Sequence, residues 1–582
     1  MSTDTTEGFV EVASLSDLEA EGRTLVSADG QAIALFHHEG EVYAVDNRCP
    51  HMGFPLTEGT VEDGILTCHW HHARFELEKG DTFDPWADDV QTFPVEVRDG
   101  AVHLDPDPEP TVPPETRWRN RLADGLQEDL TLVMAKAVIG LDDHGEGFQT
   151  PVETAVRFGT RYRNSGWGRG LTTLGCTATL YDHVGGRDKR RAIFTGVREV
   201  ADDSAGEPPR FEQRAFESRS LSRERLLSWF RESIEVRDRA GAERCLLTGV
   251  ATLPPDGVAE LLFTAATDHL YMDAGHTLDF VNTAFEVLEH VGWEGHADAV
   301  LASTVPRLTG ATRSEELSSW RQPIDIAELC FDAAELLPDL VAAGEGEDWE
   351  RPEGFVETLL SEDPHAVIDA LTEAIAAGAT VEELSDSVAR AATRRVAYFA
   401  TNNEFRDWNT VHHTFTYANA VHRAASKTDA TALYRGCFDG AMSVYRDRFL
   451  NTPRAPVPDP GESDRDPATI RRELLESFDE QGQVERAARL VSEHFDAGGD
   501  PTDMKRTLGR GLLREDAGFH TIQSVEAAFQ RFDAVESDGE RRLALLATAR
   551  YMAAHFPTRR RNEQTFSIAT RLHRGERLHE SE

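Results

Sequence analysis

Lysine is nearly absent. Of the 60 basic residues in this 582-residue chain, five are lysine (Lys79, Lys136, Lys189, Lys427 and Lys505) and 55 are arginine. Against them stand 103 Asp and Glu, a formal charge of −43. A surface so negative repels phosphate, which argues against nucleic acid or an anionic membrane as partner. Self-repulsion on this scale is relieved by concentrated salt, where the Debye length falls to about 3 Å at 1 M. The acidic, Arg-for-Lys composition therefore reads as halophilic. Cysteine is also scarce, six in the whole chain, which excludes a disulfide scaffold. No run approaches the ~18 apolar residues of a membrane span. The opening Met1-Ser2-Thr3-Asp4-Thr5-Thr6-Glu7 has no basic n-region and no apolar h-region. The expectation is a soluble cytoplasmic protein. Its length implies more than one domain, and 40% apolar residues suffice for ordinary cores.

Residues 1–105 read as β. Ala32–His37 and Glu41–Asp46 flank a turn at Glu39-Gly40, and Thr92–Arg98 and Ala101–Leu104 flank Asp99-Gly100, a type I′ hairpin signal. Five prolines then fall within Asp105–Pro114, which predicts a stiff linker over 106–115. From 116 to 582 the period is helical. Thr380-Val381-Glu382-Glu383 is a capping box ahead of an apolar stripe at Leu384, Val388, Ala391, Ala392, Val396 and Phe399. Similar patterns occupy 221–250, 276–291, 407–425, 469–494 and 539–556. A second proline-rich stretch, Pro453–Pro467, is a candidate subdivision or a long loop. The fold expected is multidomain: an all-β domain followed by a large, mostly α-helical one.

Four of the six cysteines, Cys176, Cys245, Cys330 and Cys437, are isolated and read as small buried hydrophobes. The other two belong to a pattern. Cys49-Pro50-His51 is followed, sixteen residues on, by Cys68-His69-Trp70-His71. Two thiolates and two imidazoles from two loops suit an asymmetric two-iron, two-sulfide cluster, the soft sulfurs on one iron and the neutral imidazoles on the other. The alternative is a Cys2His2 zinc site. Zinc sites usually pair Cys with Cys and His with His, whereas here each loop carries one of each.

Residues 8–105 resemble a Rieske [2Fe-2S] domain of the ferredoxin or ring-hydroxylase class. The stretches that carry the resemblance are Asn47–Leu56 and Cys68–Leu77. It implies that Cys49 and Cys68 bind one iron and His51 and His71 the other, with the two histidines at an exposed tip. His69 is a rival ligand expected to be exposed instead. Respiratory relatives carry an extra disulfide-bonded Cys in each loop, and Ser and Tyr hydroxyls aimed at the cluster. Here no such cysteines occur, and the matching positions are Ala73 and Phe75, which cannot donate. Fewer hydrogen bonds imply a low potential, around −150 mV. His72 stands where relatives have Gly, so a left-handed backbone is expected there.

The helical part offers weaker candidates. Glu286-x3-His290-x5-His296 departs from the spacing of a ring-hydroxylase iron site. His269, Asp273 and His276 fall at i, i+4 and i+7 and share a helical face if the helix continues through Gly275, which suits an additional iron. His412, Thr416 and Asn419 share a face and His413 points about 100° away, either a pocket lining or a buried hydrogen-bond network. His520 and His555 read as structural. His413–Ala420 faintly resembles questin-oxidase-like helical proteins, a likeness that carries no residue over. Gly166–Gly170 reads as a loop rather than a nucleotide site. The reading is one-electron transfer by a Rieske domain within an oxidoreductase, oxygen-dependent or not, fed by a soluble ferredoxin or flavin reductase. The alternative is a non-enzymatic electron carrier or redox sensor on a helical docking scaffold.

Overall fold

The computed structural model of the protein describes residues 8–217, 221–576 and 578. Ten strands come first: β1 Val10–Ser14, β2 Arg23–Ala28, β3 Gln31–His38, β4 Glu41–Asp46, β5 Thr60–Glu62, β6 Ile65–Thr67, β7 Arg74–Glu76, β8 Thr92–Phe93, β9 Val95–Arg98 and β10 Ala101–Leu104. They form three antiparallel sheets, ordered β1-β10-β9, β2-β3-β4-β8 and β5-β6-β7.

Local chemistry sets this register. The turns at Asp29-Gly30, Glu39-Gly40, Asp63-Gly64 and Asp99-Gly100 all place two successive residues at positive φ. That backbone matches the twist of the flanking strands in a two-residue hairpin. Pro94, which has no N–H to donate, divides the expected Thr92–Arg98 run into β8 and β9. Two cores result. Ile33, Leu35, Ala44, Phe93, Val102 and Leu104 fill one. Phe36, Leu56, Leu66, Phe75 and Leu77 gather around Cys49 and Cys68 in the other.

Beyond residue 105 every described regular element is helical. The chain divides into two units, 1–154 with 564–582, and 155–563. The first therefore takes in the Pro114–Gln127 and Thr131–Asp143 helices, which follow the proline-rich stretch, as well as the sheets. One buried ion network belongs to that unit. Asp88, 5% exposed, accepts from Arg121 Nε at 3.0 Å and Lys136 Nζ at 2.9 Å, and Lys136 Nζ also donates to the Pro50 carbonyl at 2.6 Å.

The second unit contains Pro453–Pro467 within it. Its capping box is formed as expected: Thr380 Oγ1 accepts from Glu383 N, and Glu383 Oε2 accepts from Thr380 N. The helical patterns over 221–250 and 469–494 each form two helices, Arg223–Glu235 with Arg239–Thr252 and Pro467–Ser477 with Val484–Asp496. The Asp407–Ala425 helix packs against the His276–Val291, Val381–Ala397 and Phe519–Ala534 helices. The Arg169–Leu180 helix closes on His276–Val291 at Gly175, where an added Cβ would lie 2.6 Å from Thr283. Cys176, Cys245, Cys330 and Cys437 are all buried.

Arg531, 2% exposed, pairs with Asp386, which also accepts from Arg351 at 2.5 Å and Arg390 at 2.7 Å. Burial pushes the Asp386 carboxyl up, but Arg531 and Arg390 outweigh it and hold it below the usual carboxylate range. Asp386→Asn leaves the Arg531 charge buried without a counter-ion. The expected cost is about 3–5 kcal/mol, read as a lower urea midpoint at unchanged m-value.

Candidate metal centres

The cluster loops hang from β4–β7. In the first, Cys49 N donates to Phe54 O and Gly53 N to Cys49 O, both at 2.8 Å, closing a turn that aims Cys49 inward. In the second, Cys68 N donates to Ala73 O at 2.8 Å and His72 N to Cys68 O at 3.0 Å. His72 takes φ 63°, the left-handed conformation that this tight turn requires. The two thiols come within hydrogen-bonding reach of each other. The hydrogen bond with Cys49 holds the Cys68 thiol below the ordinary range, helped by the Trp70 and His71 backbone N–H groups, while Cys49 is pushed up.

The rings of His51 and His71 stand edge to face, 4.8 Å apart. His51 is packed against Trp86 at 4.7 Å and His71 against Trp70 at 4.4 Å. His71 is exposed and His51 half-buried. Burial, with His71 and Lys136 nearby, lowers the His51 pKa to about 4, so its imidazole is neutral. His51 Nδ1 is buried and has no hydrogen-bond partner among the described residues. His69 points elsewhere, 3.3 Å from Thr60 Oγ1. Ala73 and Phe75 are fully buried and offer no hydroxyl.

Two small sheets presenting paired Cys-x-His and Cys-x-x-His loops define an iron–sulfur protein. The Rieske [2Fe-2S] domain model matches residues 8–94. The chain is 32% identical over 100 residues to the ferredoxin component of the naphthalene 1,2-dioxygenase/salicylate 5-hydroxylase systems of Ralstonia sp., covering 96% of that protein and 17% of this chain. It is 33% identical over 103 residues to the ferredoxin component of the alkene monooxygenase system of Xanthobacter autotrophicus, covering 84% of it and 18% of this chain. Among solved structures, the ferredoxin of carbazole 1,9a-dioxygenase from Nocardioides aromaticivorans is matched along its full length at 25% identity, with a TM-score of 0.17 and 17% of this chain covered. Through its N-terminal domain the chain belongs to the Rieske family, whose domains carry a [2Fe-2S] cluster and transfer single electrons. The residues present fit that group: two adjoining thiols, two adjoining imidazoles and an orphaned, buried His51 Nδ1.

The helical unit departs from the expected second site. The helix foreseen through 269–276 is broken, because Tyr271, Asp273, Ala274 and Gly275 all have positive φ and the helix begins at His276. His269, Asp273 and His276 therefore share no helical face. Both nitrogens of His269 are taken by carboxylates, Glu315 at 2.7 Å and Glu235 at 2.8 Å. Asp273 Oδ1 accepts from Thr312 N at 2.8 Å. Nor does Glu286 join His290. Glu286 accepts from Gln530 and Arg423, while His290 Nε2 lies 3.2 Å from Thr179 Oγ1.

His276 instead meets two histidines from other helices. His520 Nε2 lies 3.4 Å from His276 Nε2 and 3.2 Å from His413 Nε2. One ligand nitrogen from each of the three falls within 4.8 Å of the others. Nitrogens bound to one ion at about 2.1 Å are roughly 3.0–3.4 Å apart for tetrahedral or octahedral angles. Behind His276, Asp279 Oδ2 is 3.3 Å from Nδ1, placed to accept from Nδ1–H and turn the Nε2 lone pair toward the other histidines. Burial and the neighbouring imidazoles lower His413 to about 2 and His520 to about 4, so both are neutral donors. His412, fully buried, lies tilted 4.7 Å from His520, bonds Ser524 through Nδ1 and leaves Nε2 without a partner among the described residues. Asn419 donates to Gln530 at 2.8 Å, and His555 Nδ1 lies 2.7 Å from Tyr551 O, so these two serve packing. No helix among the described residues is long and apolar enough to cross a membrane.

Proposed function

We propose that the protein is a self-contained oxidoreductase. In this reading Cys49 and Cys68 hold one iron of the cluster and His51 and His71 the other. A second, redox-active metal, iron, is held by His276, His413 and His520 and accepts the electrons. The observation that carries this is the convergence of three imidazoles, one backed by Asp279. Three protein ligands leave coordination positions for a small oxidant or substrate. The relatives at 32% and 33% identity are ferredoxin components of dioxygenase and monooxygenase systems, which supports an oxygen-dependent reaction. The N-terminal domain takes the ferredoxin part and the helical unit the acceptor part, on one chain. Covalent linkage raises the effective concentration of donor at acceptor without requiring a tight interface. The cluster supplies one electron at a time when bound. The His51 and His71 edge, exposed beside Trp70, is the port through which a soluble ferredoxin or flavin reductase delivers them.

Metal and acid-labile sulfide analysis in high salt tests the reading. The wild type should hold about three irons and two sulfides, two of the irons belonging to the cluster. His413→Ala should lose about one iron and no sulfide, with the visible spectrum of the cluster unchanged. Zinc in place of the third iron would remove the electron acceptor. No metal beyond the cluster would return the helical unit to a docking scaffold.

A further inference from the structure

A cavity of about 790 Å³ opens beside the histidine cluster, with His276 and His520 in its wall. Its volume lies within the ordinary range for small-molecule sites, roughly 300–1,000 Å³. Two features of the lining define what it takes. The first is aromatic. Phe280, Phe519, Tyr271 and Trp320 all face it, and Phe280 and Phe519 are ring neighbours at 6.3 Å that also flank His276, at 5.2 and 5.5 Å. Aromatic walls of this kind favour a planar ring by offset or edge-to-face contact.

The second feature is cationic. Arg307 and Arg446, both half-buried, line the same cavity. Arg307 spends Nε on the Trp167 carbonyl at 2.8 Å and lies over the Phe280 ring at 5.6 Å. Arg446 stacks 4.2 Å above the ring of Trp320. Among the described residues neither guanidinium has a carboxylate within ion-pair distance, which sets them apart from the many paired arginines of this chain. The two acids of the lining are engaged elsewhere, Asp203 with Arg163 at 3.1 Å and Asp273 with Thr312 N. Arg307 feels Asp273 and Asp203 and Arg446 feels Asp447 at longer range, but two half-buried guanidiniums outside any ion pair among the described residues still favour an anionic ligand over a neutral one in a protein of charge −43. Guanidinium is suited to planar bidentate recognition of a carboxylate.

We propose that this cavity binds an aromatic carboxylate, its ring against the aromatic wall of Phe280, Phe519 and Trp320 and its charge on Arg446 and Arg307, next to the metal of His276, His413 and His520. The substrate class rests on the function proposed above, whereas the binding site stands on the lining alone. Titration calorimetry with the full-length protein, using 2-naphthoate, its neutral analogue 2-naphthamide and the non-aromatic cyclohexanecarboxylate, tests it. 2-Naphthoate should bind, and the other two at least about tenfold more weakly, the loss of a charge-assisted pair or of the ring contacts. Arg446→Gln should weaken 2-naphthoate about tenfold or more and leave 2-naphthamide unchanged. Ser319→Glu, at an exposed position of the same lining, should weaken the acid alone and poses no folding risk at the core. Equal binding of acid and amide, or an unchanged affinity in both variants, overturns the proposal. Iron analysis of the same samples separates the two ideas. Selective acid binding without a third iron keeps the cavity and removes the metal, and a third iron without acid binding does the reverse.

Discussion

A Cys49→Ser/Cys68→Ser double variant should lose all acid-labile sulfide and the visible absorption of the cluster while keeping the iron proposed for the helical unit. The argument begins with the sulfurs. Cys49 and Cys68 are each 1% exposed and lie in the same small core as Leu56, Leu66 and Phe75, so no solvent thiol or outside ligand takes their place. The four remaining cysteines belong to 155–563, far along the chain from either loop, and burial raises the pKa of each above the thiol range. A serine hydroxyl is a hard, protonated donor and a poor match for a sulfide-bridged iron. The expected change is from about three irons and two sulfides to about one iron and none. Near-ultraviolet circular dichroism of the aromatic-rich helical unit should be retained. Loss of every iron in the variant would mean that the third iron never had a site of its own. Retention of sulfide would remove the cysteines from the ligand set.

Why the meeting of the two Cys–His loops was legible and the meeting of the three histidines was not follows from chain distance. Cys49, His51, Cys68 and His71 lie within 23 residues, and each loop contributes one Cys and one His at fixed spacing. A short motif of that kind leaves few ways to arrange the donors, and the hairpin turns that hold it are spelled out as Asp-Gly and Glu-Gly pairs. The β domain and the existence of the helical region were readable for the same reason: period 2 with turn residues, then period 3.6 with caps. His276, His413 and His520 come from three helices, each in an apolar context that reads equally well as packing. Sequence placed His276 on a face with His269 and Asp273. Four of the five residues from Tyr271 to Gly275 stand at positive φ, three of them not glycine, and broke that helix instead; non-glycine residues rarely signal such a conformation. His520, read as structural, sits at the centre of the cluster, closer to each partner's Nε2 than any local pattern implies. The one available hint was the density of histidine at His412-His413, costly to bury without a purpose.

The same limit hid Lys136, one of only five lysines, which leads to the second large effect. Asp88→Asn and Lys136→Met should both destabilise the N-terminal unit by about 3–5 kcal/mol, the cost of breaking a buried ion pair, yet shift the cluster potential in opposite directions. Asp88 holds two cations, and Arg121 adds hydrogen bonds to the carbonyls of Pro85 at 2.7 Å and Ala87 at 3.0 Å. Removing the carboxylate charge leaves both cations buried without it. Removing the ammonium deprives the Pro50 carbonyl, between Cys49 and His51, of its donor. Burial raises the Asp88 carboxyl, but Lys136 and Arg121 prevail and hold it below its ordinary value. The folded value is thus depressed, so the stabilisation is complete above the unfolded value, about 3.9, and is lost as pH falls below it. The wild type should therefore lose this increment in acid, and Asp88→Asn should show a flatter stability profile there. The potentials discriminate further. The reduced cluster carries one more negative charge than the oxidised one, so a nearby cation favours reduction and a nearby anion opposes it. Lys136→Met should lower the potential and Asp88→Asn should raise it, measured by redox titration beside urea unfolding of the same samples. A shift of the same sign in both variants would show that loop distortion, and not charge, sets the response. Opposite shifts with matched losses of stability would make the Thr131–Asp143 helix an electrostatic support of the cluster.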